Sequence, residues 1–322
     1  MGKDDVDLDK PRYNQAEYWG RAQHFFRITN PLNCLASEAQ LDEAKRVVME
    51  FKKSKTLPPG YDVEKLWAAK YLYDSAFHPD TGEKVIVIGR MSAQAPMNTI
   101  ITGCMIAFYK TSSAIVFWQW LNQTFNALVN YSNRSGDAPL TAKQLAVSYV
   151  AACGGALSTA LYLNGKAKNM KNPLFARLVP FAAVCAANLI NIPMMRSHEL
   201  LNGTPVFTED GKRVGDSKVA ARTGIMLVCI SRIFMAIPGM TITPVITNWA
   251  VNRGTFCRYP KAVIPFQLAM VGICVTFATP LACAFFEQNA ALGIQQLEPN
   301  LQEEVKKKHS SKTQQVYYNK GL

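Results

Sequence analysis

GIMLVCISRIFMAIPGMTITPVITN, residues 224–248, is the stretch that decides how this chain folds. Its only charge is Arg232. The hydrocarbon core of a bilayer is about 30 Å thick and takes roughly 20 helical residues to cross, a length this stretch exceeds. It reads as a membrane span. Three more stretches of the same kind occur: LAVSYVAACGGALSTALYLNG (145–165), PLFARLVPFAAVCAANLINIP (173–193) and VIPFQLAMVGICVTFATPLACAFF (263–286). A fifth, from Met97 to Trp120, is composite because Lys110 lies near its middle, and a lysine at the bilayer centre must snorkel or pack against protein.

The 49% hydrophobic content of the 322 residues would fit a soluble protein as well; its distribution decides the matter. Charges crowd the two ends of the chain. The expected fold is an all-α integral membrane protein with about five transmembrane helices. Residues 1–95 form a soluble N-terminal cap, 96–287 the bundle and 288–322 a polar C-terminal tail. Lys and Arg divide almost evenly among the short loops, so orientation stays open.

The cap reads as amphipathic helices. SEAQLDEAKRVVMEFKK (37–53) opens with a capping box, Ser37 with Gln40, and puts Leu41, Ala44, Val48 and Phe51 on one face. YDVEKLWAAKYLYDSAF (61–77) starts at Asp62 and turns Leu66, Ala69, Leu72 and Tyr73 inward. HPDTGEKVIVIGR follows as a turn and a short extended run. No nucleotide-binding loop is present, so the cap reads as a lid or docking surface. In the 145–165 span, Ala152, Ala156 and Ala160 recur every fourth residue, a spacing that lets helix backbones approach closely in lipid.

MGKDDVDLDK is acidic and carries no apolar signal core, so targeting is expected to lie in the mature chain. The eight cysteines form no C-x-x-C pair and read as small reduced hydrophobes. The sequons at Asn122, Asn130, Asn133 and Asn202 read as polar loop or helix-end residues. The four histidines are scattered, so neither a metal site nor a cofactor is expected, nor is a nucleic-acid partner. EEVKKKH (303–309) is a solvated basic face or a contact for anionic lipid.

HPDTGEK (78–84), NALVNYSNRSGDAPLT (126–141), INIPMMR (190–196) and YYNKGL (317–322) resemble the sideroflexins, five-span proteins of the mitochondrial inner membrane. The likeness covers nearly the whole chain and is strongest to the serine-carrying members. It implies import of L-serine into the matrix for one-carbon metabolism, alanine and cysteine as further small neutral substrates, and a cap facing the matrix. Other members are linked to iron handling or respiratory-complex assembly. A structural or assembly role in the inner membrane is therefore the alternative.

Moving a zwitterion through hydrocarbon requires partners for a carboxylate, an ammonium and a hydroxyl, which transporters often supply from interrupted helices. Pro193 follows Asn188 and Asn191; Pro238-Gly239 follows Ser231-Arg232; Thr279-Pro280 interrupts the last span. Asn188, Asn191, Ser231 and Arg232 are therefore the candidate substrate residues. Arg232 binds a carboxylate, pairs with helix carbonyls, or snorkels; Arg177, near the start of its span, snorkels. The asparagines touch substrate or join helices. His78, Asp80, Pro193, Arg196, Pro238 and Gly239 are candidates for gating or signature roles. No nucleophile–base pair or metal cluster is visible, so an enzyme is not expected.

Overall fold

The computed structural model describes residues 6–78, 81–108, 111–133, 141–167, 173–308 and 314–321, with backbone alone at 142, 173–177 and 306–308. Asp80, Lys110, His309 and the side chain of Arg177 lie outside the described residues.

The cap forms as its capping signals dictate. Helix α1 (Tyr18–Ile28) precedes α2 (Glu38–Ser54) and α3 (Val63–Ala76). The Ser37 backbone N–H donates to Gln40 Oε1 at 2.9 Å and the Gln40 N–H donates to Ser37 Oγ at 3.3 Å, which closes the capping box. Asp62 accepts from the Lys65 N–H at 2.7 Å and starts α3. Leu41, Ala44, Val48 and Phe51 are buried on α2 as their spacing requires, joined by Val47. On α3 the buried set is Leu66, Trp67, Tyr71 and Tyr73, while Ala69 and Leu72 are only partly covered. The 78–84 turn clips onto α2. Lys45 Nζ donates to the Gly82 carbonyl at 3.2 Å, and Lys84 pairs with Glu38 and, at 3.2 Å, with Asp42. After it, Val87–Gly89 is a single 3-10 turn where an extended run was expected, and Ile86, Val87 and Ile88 are exposed.

Four helical stretches among the described residues are long and apolar enough to cross a membrane: Lys143–Ala167, Leu178–Met195, Lys218–Asn252 and Pro260–Cys283. These are the four clear spans of the sequence. The composite stretch divides into α4 (Gln94–Phe108) and α5 (Ser112–Ser132). Thr111 caps α5 by accepting from the Ala114 N–H at 3.2 Å, so the chain restarts a helix just after Lys110. α6 (Ala142–Ala167) and α7 (Pro173–Met195) form the most extensive helix pair. Ala152, Ala156 and Ala160 on α6 and Ala183 and Ala187 on α7 are buried. A Cβ on Gly155 would meet Ile190 Cδ1 at 2.2 Å, so this glycine leaves room for the Ile190 side chain.

None of the three expected breaks interrupts its helix. Pro193 lies within α7, which runs on to Met195, and Pro280 lies within α11 (Val263–Cys283). Pro238 opens a π-helical turn, Pro238–Ile242, that joins α9 (Lys218–Ile237) to α10 (Thr243–Asn252). Proline lacks an N–H and crowds the carbonyl four residues back, and a widened turn absorbs both effects without ending the helix.

Helix α8 (Ser197–Asn202) leads out of the bundle into a small sheet that the helical reading did not contain. β1 (Thr204–Phe207), β2 (Arg213–Ser217), β3 (Asn289–Gly293) and β4 (Gln315–Asn319) form an antiparallel sheet in the order β2-β1-β4-β3. Helix α12 (Pro299–Lys308) lays Leu301 and Val305 on Val206, Val316 and Tyr318. The polar C-terminal region is thus folded onto the chain. Glu298 joins it to the bundle by accepting from the N–H groups of Lys218 (2.6 Å) and Val219 (3.0 Å), the free donors at the start of α9.

Candidate functional site

α1 of the cap docks on the end of α11. Arg21 Nε donates to the Ala284 carbonyl at 2.9 Å, and Tyr18 donates its hydroxyl to the Leu281 carbonyl at 3.3 Å. Beside this joint, Val228, Ser231, Arg232 and Met235 on α9 meet Met91 and Gln94 at the start of α4, Cys283 at the end of α11, and Lys320 just past β4. Together they enclose a cavity of about 20 Å³. That is room for about one water molecule. Arg232 therefore sits beside the start of α4 and the end of α11, at the junction of bundle and cap.

Lys320 reaches the cavity because the backbone around it is fixed on both sides. Its N–H donates to the Gln288 carbonyl at 2.9 Å, and its carbonyl accepts from Arg196 Nη1 at 2.5 Å. Gly224 on α9 makes room: a Cβ there would lie 3.1 Å from Tyr318 and 3.4 Å from the Lys320 Cα. Gly321, at φ +77°, turns the chain away against Arg196.

Four cations gather at this junction, and their partners differ. Arg196 is held by both carboxylate oxygens of Glu199, at 2.8 and 2.5 Å. Arg21 is satisfied by the Gln15, Ala16 and Ala284 carbonyls and by Glu287 at 3.4 Å. Among the described residues, no carboxylate pairs with Arg232 or Lys320. Burial pushes the Lys320 ammonium below its ordinary range; Cys283 opposes that, and Arg196, Arg232 and Arg21 add to it.

Of the residues singled out from sequence, only Ser231 and Arg232 line the cavity. Ser231 donates its hydroxyl to the Leu227 carbonyl at 3.0 Å, so its oxygen is left to accept. Asn191 is buried and Asn188 half-buried on α7, away from the cavity lining. Pro193, Pro238 and Gly239 shape helices; Gly239 packs against Val275. His78 belongs to the clip on α2, where its Nδ1 accepts from the Thr81 N–H at 3.3 Å. Arg196 pins the 320–321 segment.

Sequence reasoning missed Gln94 and Lys320, and it misplaced Asn122. That residue is buried in mid-helix on α5 between Gln119 and Gln123, whereas a loop or helix-end position was expected. Among the described residues, Asn122 Nδ2 and Gln123 Nε2 have no hydrogen-bond partner. Three amides within five positions of an apolar segment were the available signal.

A family model for the sideroflexins matches residues 7–322. The chain belongs to the sideroflexin family. It is 54% identical over 317 residues to Sideroflexin-1-3 of Drosophila melanogaster and 51% identical over 317 residues to Sideroflexin-1 of Homo sapiens, with 98% of each chain covered in both cases. Sideroflexin-3 of Bos taurus is 52% identical over 318 residues, covering 99% of this chain and 98% of that one. No solved structure matches it. As a sideroflexin with four apolar membrane-length helices, it is a multi-pass membrane protein.

Proposed function

We propose that the chain carries small neutral amino acids, L-serine first and alanine and cysteine after it, across the mitochondrial inner membrane to supply one-carbon metabolism. The observation that supports this reading is Arg232, which pairs with no carboxylate among the described residues, beside Ser231 in a small cavity between bundle and cap. Carriage needs binding and release but no reaction, and the groups here suit binding. The Arg232 guanidinium takes the carboxylate, a desolvated charge that binds strongly only to a partner of opposite sign. The Gln94 carbonyl oxygen and the Ser231 oxygen can accept from the ammonium and hydroxyl. The cavity is too small for an amino acid as it stands, so loading requires the cap joint or the 320–321 segment to move.

Proteoliposomes containing only this chain, offered a panel of labelled amino acids with and without a pH gradient, test the proposal. L-serine uptake is expected, and Arg232→Ala should lower it at least about tenfold while protein abundance stays near normal. Partial activity in Arg232→Lys would indicate attraction to a point charge, and none would indicate a two-point grip. Normal uptake by Arg232→Ala would move the carboxylate site elsewhere, with Asn188 and Asn191 the next residues to replace. Absence of uptake for every amino acid would favour an assembly role in the inner membrane.

A further inference from the structure

The cavity has a second cation that the carrier reading does not use. Lys320 is 2% exposed, and among the described residues its ammonium donates to the Gly321 carbonyl, at 3.3 Å, and pairs with no carboxylate. A buried ammonium without a counter-charge is unfavourable unless something offsets it. Here the surroundings make matters worse. Arg196 and Arg21 are already occupied by Glu199 and Glu287, and Arg232 brings another positive charge to the same wall. The backbone nevertheless aims Lys320 inward through the Gln288 and Arg196 contacts.

We propose that Lys320 and Arg232 together form a buried anion site that takes the carboxylate of a small molecule, so that Lys320 is a second binding residue of the cavity. The two cations come from separate parts of the fold, α9 and the segment after β4, and an anion between them offsets charges that no carboxylate among the described residues compensates. The segment that supplies Lys320 is also the wall that must shift to enlarge the cavity, which couples entry of the anion to seating of β4. The site deepens the carrier reading and rests on it only for the choice of an amino acid as one probe.

Binding to the full chain in detergent, followed by titration calorimetry, tests this with sodium L-lactate, L-serine and L-serinamide. Lactate and serine should bind, and serinamide, which lacks the carboxylate, should bind at least about tenfold more weakly. A bound carboxylate favours the ammonium form of Lys320, which burial disfavours, so lactate affinity should rise as pH falls through the range where Lys320 gains its proton. The groups facing Lys320 are Cys283 on α11, Arg232 on α9, Arg21 on α1 and Arg196 after α7. Lys320→Gln should weaken lactate binding about tenfold or more, and Lys320→Arg should retain binding while flattening its pH dependence. Equal affinity for serine and serinamide overturns the proposal, as does wild-type lactate binding by Lys320→Gln. Should either variant fail to fold, the three probes and the pH dependence in the unaltered chain decide. Lactate binding by a chain that fails the uptake assay would sink the carrier reading and leave this site standing; wild-type serine uptake by Lys320→Gln would do the reverse.

Discussion

The cap and the α6–α7 pair bury their helices by opposite means. In the cap, large side chains meet: Leu41, Val47, Val48 and Phe51 on α2 face Leu66, Trp67, Tyr71 and Tyr73 on α3. Association of large apolar side chains of this kind is driven by removing their surface from water. The buried residues of α6 and α7 include five alanines, Ala152, Ala156, Ala160, Ala183 and Ala187, and Gly155 lies against Ile190. Lipid tails are as apolar as leucine and supply no such drive, so close backbone approach has to do the holding. The same chain therefore uses side-chain volume in one place and its absence in the other.

Three substitutions probe that contrast. The largest effect is expected at Leu66, which is fully buried. Leu66→Ala should cost about 2–5 kcal/mol of cap stability, read as a lower urea concentration at which residues 37–77 of the full chain become protease-sensitive. A loss under about 1 kcal/mol would mean that docking on the bundle, and not the core of the cap, holds it. Adding volume where the bundle excludes it comes next. Ala156→Leu should cost about 1–3 kcal/mol, seen as a lower thermal midpoint in detergent, and a rise in that midpoint would erase the distinction between the regions. The smallest effect belongs to Leu189, half exposed on the outer face of α7. Leu189→Ala should stay within about 0.5 kcal/mol of the parent by the same measurement, and a loss as large as at Leu66 would place this leucine in a contact between copies or with another protein.

Helices α2 and α3 and all four clear spans were legible in the sequence because their causes are local. A capping box is written in four consecutive positions, and Ser37–Gln40 forms as read; a run without charges states its own length. The sheet was illegible for the opposite reason: β4 pairs with β1 and β3, more than a hundred residues upstream in the case of β1, and neither short strand is distinctive alone. Lys320 inherits that difficulty. Nothing near it in sequence says that it is buried, because its burial depends on where β4 pairs and on the room left by Gly224. Arg232 could be picked out, since a charge in an apolar run is conspicuous, but its depth could not, because the span extends from Lys218 to Asn252 and only part of that length is needed to cross a bilayer.

The π turn at Pro238–Ile242 has its own bearing on how this long span is read. Within an α-helix each residue advances the direction of its side chain by about 100°, so a wheel drawn through one segment predicts the facing of the next. A turn closed by i→i+5 bonds holds one residue more than its neighbours, and the phase slips as it is crossed. Ser231 and Arg232 are thus in one angular frame, and Thr243, Thr247 and Ala250, buried on α10, are in another. A single wheel through 218–252 smears two well-defined faces into one diffuse band. Drawn as two wheels, offset at Pro238, the same residues give the upper half of the helix a side of its own, set by threonines and independent of the direction in which Arg232 points.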